Sequence, residues 1–153
     1  MVTEQRLLIF GSDKRGTIYG MFHISELMGV SPWVTFADVV PERKDEVYMT
    51  EADTFYSKEP SVKYRGFFIN DELPAFGNWT FSHFGGFTAE MYDMIFETLL
   101  RLKGNYLWPA MWTSSFSLDG PGEQNAILAD EYGVVMSNSH HEHVCGTVRN
   151  GIR

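Results

Sequence analysis

Cysteine is almost missing from this chain. Cys145 stands alone, which excludes an intramolecular disulfide framework and leaves the redox compartment open. Long apolar runs are also missing, and none approaches the roughly 20 residues of a membrane span. The opening MVTEQRLLIF lacks the extended apolar core of a secretion signal and reads as a strand. Positive charge is scarce: 12 Lys and Arg against 20 Asp and Glu leave a net charge of −8. That balance argues against a nucleic-acid or anionic-membrane partner, which would want a basic face.

What is present suits a folded domain. Hydrophobic residues make up 44% of the 153 residues, so the chain is globular and long enough to bury a core. Aromatic rings are abundant, with 12 Phe, 7 Tyr and 4 Trp. Such rings fill cores, and they also line clefts that bind sugars.

The patterning divides the chain near residue 62. Residues 7–10 (LLIF) form a short buried-strand candidate, followed by the turn GSDKRG. Apolar spacing predicts a helix over 17–28, with Gly29 as its cap and Pro32 beyond. Residues 41–62 are charged, carry two prolines and are expected to hold one short strand. From there the rhythm becomes strand (64–69), loop, helix (88–103), strand (106–108), helix (123–132), strand (133–137). In the first of these helices Met91, Ile95, Leu99 and Leu102 form the predicted apolar face, and Gly104 stops it. Strands alternating with helices predict a parallel sheet with right-handed crossovers.

Each of the three strands ends in residues that a plain turn does not need. These are Asn70, Asp71 and Glu72, then Trp108 and Trp112, then His140, His141, Glu142 and His143. In β/α barrels the active site lies at the C-terminal ends of the strands. Three strands cannot close an eight-stranded barrel, so the sequence reads as cut off at Arg153.

Taken singly, the motifs leave alternatives open. GSDKRG fails the P-loop pattern, because Gly16 is followed by Thr17 and Ile18, and fails the dinucleotide fingerprint at Asp13. Ser12 or Asp13 can cap the following helix, while Lys14 and Arg15 can project a cationic pair towards an anionic ligand. Asp71 and Glu72 are adjacent, so on a strand they point to opposite faces and one of them faces a cleft. Inverting glycoside hydrolysis needs two carboxyl groups about 6.5–9.5 Å apart, which adjacent residues do not supply alone. In WPAMW, Trp108 and Trp112 offer flat apolar platforms for sugar faces, or simply pack over the sheet end. His141 and His143 form an HxH pair of metal-ligand spacing; alternatively His140 or His141 binds sugar hydroxyls or orients a carboxylate. Cys145 has no base partner outside that cluster and reads as structural.

Four long blocks carry a resemblance. GSDKRGTIYGMFHISELMGVSPW, YRGFFINDE, LLRLKGNYLWPAMW and LADEYGVVMSNSHHEH, in that order, are similar to the family 115 glycoside hydrolases, the xylan α-glucuronidases. The resemblance extends from about Leu7 to His143. It implies the end of an N-terminal α/β domain over residues 1–62 and the first three units of a TIM-type (β/α)8 barrel over 63–153. It implies removal of α-1,2-linked (4-O-methyl-)glucuronic acid from xylan or glucuronoxylo-oligosaccharides by an inverting acid/base mechanism, with no cofactor and no metal. Asp71 and Glu72 match blocks that line the family's pocket, as do Asn70, Trp108, Trp112, His140 and His141 on the substrate side. Lys14 or Arg15 would meet the uronate, with Arg65 a further candidate cation. A homodimeric parent, secreted or periplasmic, is carried as an expectation. Two rival readings stand beside this one: a metal-dependent barrel hydrolase using His141 and His143, and a non-catalytic carbohydrate-binding remnant. Expressed alone, the 153 residues are expected to aggregate or stay molten and to hydrolyse nothing, because an unclosed barrel exposes strand edges.

Overall fold

The computed structural model describes residues 2–3, 6–112 and 114–137. A two-residue ribbon opens the chain, β1 (Val2–Thr3) pairing antiparallel with β2 (Arg6–Leu7). The strand expected over 7–10 is therefore corrected to Arg6–Leu7. The physical reason is exposure: Leu7, Leu8 and Phe10 all face solvent, Phe10 at 82%.

Helix α1 (Lys14–Leu27) begins earlier than its apolar spacing implies, because Asp13 caps it. The Asp13 Oδ1 atom accepts the Gly16 N–H at 2.7 Å, satisfying one of the free donors of the first turn. Gly29 follows the helix with φ +94°, a left-handed conformation that glycine adopts without steric penalty. Among the described residues 41–62 there is no strand, contrary to expectation. The segment holds a single 3-10 turn, Glu51–Asp53, and its apolar side chains at Val47, Tyr48, Phe55 and Tyr56 are exposed. Without a face to bury, these residues gain nothing from a ladder.

The remainder is a mixed α/β unit. Strands β3 (Gly66–Phe68), β4 (Tyr106–Trp108) and β5 (Val135–Met136) form a parallel sheet in sequence order. Phe67 pairs with Leu107 and Leu107 with Met136, and bonds from Ile69 N–H to Trp108 (2.9 Å) and from Ser137 N–H to Leu107 (3.0 Å) continue the ladders. Gly66 is required where it stands, since a Cβ there would lie 1.5 Å from the Tyr106 carbonyl oxygen.

Three helices connect these strands: α2 (Phe76–Phe84), α3 (Ala89–Arg101) and α4 (Gln124–Tyr132). Helix α3 is capped by Thr88, carries Glu90 in its first turn and Arg101 in its last, and so complements its own dipole. Its buried stripe, Met91, Tyr92, Ile95, Phe96 and Leu99, shares one core with Ile69, Leu107 and Val134, and Leu100 is buried as well. Leu102, expected in that stripe, is 40% exposed, because the helix ends one residue before it. Helix α2 falls where a loop was expected; its rings Phe76, Trp79, His83 and Phe84 recur at helical spacing, but Gly77, Asn78 and Ser82 between them are weak helix formers.

Helix α1 lies across the N-terminal ends of the parallel strands. The Tyr19 hydroxyl donates to the Gly104 carbonyl at 2.8 Å, Lys14 Nζ to Asp130 at 3.0 Å, and Arg15 to Gly133 at 3.3 Å. Gly104 and Gly133 each stand two residues before a strand. Arg101 also sits over the Phe22 ring, 4.5 Å from its centroid.

Candidate functional site

The opposite, C-terminal ends of β3 and β4 gather most of the residues singled out by sequence. The chain leaves β3 through Ile69, buried, and Asn70, exposed. Asp71 and Glu72 then separate completely: Asp71 has no solvent exposure and Glu72 is exposed. The alternation that places neighbours on opposite faces thus extends past the strand.

Asp71 holds the next strand's exit loop. Its Oδ1 atom accepts the Met111 N–H at 3.0 Å and its Oδ2 atom the Trp112 N–H at 2.8 Å. A carboxylate between two backbone donors forms charge-assisted bonds, about twice as strong as neutral ones. The clamp fixes the loop from which the Trp112 indole projects, 48% exposed. The Trp108 indole is 43% exposed and meets the Phe68 ring edge-on, with centroids 6.0 Å apart. Glu72, Trp108 and Trp112 are thus all exposed at the C-terminal ends of β3 and β4, and Asp71, buried, ties the two strand exits together.

Sequence reasoning missed Tyr106, which belongs to the same surface. Leu107 and Met136 face the core, so alternation turns Phe68, Tyr106, Trp108 and Ser137 to the sheet face away from α3 and α4. The Tyr106 hydroxyl accepts the Trp108 Nε1–H at 3.2 Å and is also hydrogen-bonded by the Ser137 side chain. These two bonds, that of Ser137 foremost, pull the phenol below its ordinary pKa. The signal was available in the spacing of Tyr106 and Trp108, two residues apart on one strand.

Lys14 and Arg15 are not brought to these strand ends. They stand at the N-terminal ends of the strands, engaged with α4 carbonyls as cations at a helix C-terminus are. Arg15 also pairs with Asp13 at 3.6 Å. The shallow cavity beside them, about 370 Å³, is lined by Asp13 and Asp130 as well, which an anion would not favour. Arg65 lies at the same end, donating to the carbonyls of Val62, Lys63 and Lys103. His140, His141, Glu142, His143 and Cys145 lie outside the described residues. Among the described residues no group of three or more His, Cys, Asp or Glu could hold a metal. No helix among them is long and apolar enough to cross a membrane.

The comparisons with known proteins decide the family. The model of glycosyl hydrolase family 115 matches residues 57–150, more than half of the chain. The chain belongs to glycosyl hydrolase family 115. A solved structure, the family GH115 4-O-methyl-α-glucuronidase BtGH115A with specificity for decorated arabinogalactans, is 40% identical to it with a TM-score of 0.75. That match covers 88% of this family 115 chain and 18% of the BtGH115A chain. Among curated proteins nothing matches.

Proposed function

We propose that this family 115 chain belongs to a glycosidase that removes α-1,2-linked (4-O-methyl-)glucuronic acid from xylan, with inversion at the anomeric carbon. Strands β3, β4 and β5 are the first three of a (β/α)8 barrel, and the barrel begins after the boundary near residue 62. The observation that carries the reading is the strand-end set: Glu72 exposed after β3, Trp108 and Trp112 half-exposed at the end of β4, and Asp71 buried as the clamp between the two strand exits.

Each residue then has a distinct task. Glu72 supplies one of the two carboxyl groups that inversion requires, acting at the glycosidic oxygen or on the attacking water. Its partner comes from another strand end, because Asp71 has both oxygens occupied by backbone donors. Trp108 and Trp112 stack on sugar faces, and Asn70, exposed beside them, hydrogen-bonds a hydroxyl. Asp71 serves catalysis by position, holding the loop that presents Trp112. His140 and His141 are assigned to the substrate side on the family resemblance of their sequence block.

The specificity of BtGH115A for decorated arabinogalactans favours a second polymer as the source of the uronic acid. The test is hydrolysis of both polymers by the full-length enzyme, with the first-formed anomer read by proton NMR. Release of the β-anomer of glucuronic acid from xylan supports the reading. Release of the α-anomer eliminates inversion, and release from arabinogalactan alone replaces the substrate. Chelator treatment tests the metal-dependent rival: activity that survives complete metal removal excludes His141 and His143 as a required metal pair.

A further inference from the structure

Glu72 follows a residue that is tied down and precedes a helix that turns back onto it. Asp71, before it, is buried and holds the Met111 and Trp112 N–H groups through its carboxylate. After it the chain turns through residues 73–75 and enters α2. Ala75 offers that helix no side-chain cap, and the Gly77 N–H donates to the Glu72 carbonyl at 3.4 Å instead. Gly77 is buried against the same stretch. A Cβ on it would stand 2.6 Å from the Asp71 carbonyl oxygen, 2.8 Å from a Leu73 methyl and 3.5 Å from the Glu72 carbonyl oxygen. Its backbone is helical, where alanine is the better residue, so it is the space and not the conformation that calls for glycine.

We propose that Gly77 is a positioning residue for Glu72: its missing Cβ lets α2 seat on the Asp71 and Glu72 peptides and so sets where the Glu72 carboxylate stands. The Asp71 carbonyl belongs to the peptide bond that leads into Glu72. A real Cβ keeps at least 3.0 Å from such an atom, so a larger residue must part α2 and that peptide by about 0.4 Å or more. Leu73 is exposed, and its methyl can swing aside. The other parts are held. Asp71 is bonded to the loop after β4, and α2 is anchored by Phe76 and Phe84 packed against the core. Close-packed parts transmit strain, and the peptide between these two anchors is the one that carries Glu72. Reacting groups are sensitive to such shifts, a misplacement of about 1 Å costing about 10²-fold in rate.

This inference rests on the reading of Glu72 as a reacting carboxylate and adds what places it. The experiment uses the full-length enzyme with glucuronoxylo-oligosaccharide, and circular dichroism checks each fold. For Gly77→Ala, kcat is expected to fall about 10–100-fold with KM changed less than about threefold. Adding Leu73→Ala removes the methyl contact but not the carbonyl contact, so the loss should persist. In a Glu72→Gln background, Gly77→Ala should cost less than about threefold more, because the group it misplaces is already gone. The assignment is overturned by a Gly77→Ala kcat within about twofold of wild type, by recovery to that level with Leu73→Ala, or by a full additional loss in the Glu72→Gln background. A Gly77→Ala protein that does not fold shows a role in folding and overturns it too. A crystal structure of Gly77→Ala separates placement from chemistry. Glu72 displaced by about 0.4 Å or more supports the proposal, and α2 displaced alone, with Glu72 in place, overturns it. Absence of uronic acid release by the wild type, or near-normal turnover of Glu72→Gln, overturns the catalytic reading instead. The crystallographic shift still decides what Gly77 places in that event.

Discussion

Replacing Asp71 by Asn perturbs the tie between the two strand exits without changing its shape. The native carboxylate is fully buried and accepts the Met111 and Trp112 N–H groups at 3.0 and 2.8 Å. An amide of the same size retains one acceptor oxygen and turns an NH₂ group towards the other backbone donor. One charge-assisted bond is lost, the other becomes neutral, and a buried N–H is left facing a donor. Each hydrogen bond to a charged group contributes about 1.5–3 kcal/mol, and relief of the buried charge returns part of it, giving a net loss of about 2–4 kcal/mol. The loss is local, so it appears as easier opening of the 109–112 loop. At about 1.4 kcal/mol per tenfold, amide exchange of Met111 and Trp112 accelerates by about 30–1,000-fold. Hydrogen exchange read by mass spectrometry on the full-length protein measures it, with peptides from α3 as the internal reference. Exchange at Met111 and Trp112 within twofold of wild type would refute the clamp. Acceleration spread equally over α3 would show that Asp71 supports the whole unit instead.

Three further outcomes follow from other contacts. Gly66→Ala places a Cβ 1.5 Å from the Tyr106 carbonyl oxygen and must part β3 from β4; a loss of about 3 kcal/mol or more is expected in urea unfolding, and an unchanged midpoint would contradict it. Asn105→Ala removes a buried side chain that accepts the Arg65 N–H and donates to the Lys63 carbonyl, both at 2.9 Å; about 1–3 kcal/mol of stability should go with it in the same measurement. Asp53 is held below the usual carboxylate range by the Thr50 N–H and hydroxyl. Because that pKa is depressed, its contribution is complete above about pH 4 and is lost as pH falls through the lowered value, so Thr50 amide protection should fade only in that acid window.

Much of the sheet was legible because its signals are local. Tyr106–Trp108 coincides with the expected strand, and Thr88 and Arg101 bound α3 within two residues of expectation. Asp13 capping α1 and the split between Asp71 and Glu72 also follow from short-range rules, the one from cap chemistry and the other from a period of two. Other features depended on partners distant in sequence. Nothing local tells that Lys14 and Arg15 reach carbonyls of Asp130 and Gly133, more than a hundred residues away, and so sit at the end of the sheet opposite to Glu72. The strand expected within 41–62 failed because propensity cannot form a strand without a face to bury. Helix α2 escaped notice because it is short and Gly77, Asn78 and Ser82 give it a loop-like composition that hides the spacing of Phe76, Trp79, His83 and Phe84. Tyr106 was passed over because a tyrosine at a strand start looks like packing until its oxygen is seen between Trp108 and Ser137.

The central claim is that Glu72 is a reacting carboxylate of a uronic-acid-releasing glycosidase, and its most direct measurement is turnover of Glu72→Gln in the full-length enzyme. With glucuronoxylo-oligosaccharide at saturation, kcat should fall by about 10²–10⁴-fold with the fold intact, as loss of general acid–base catalysis requires. A kcat within a few-fold of wild type would contradict the claim and move the chemistry to another carboxylate.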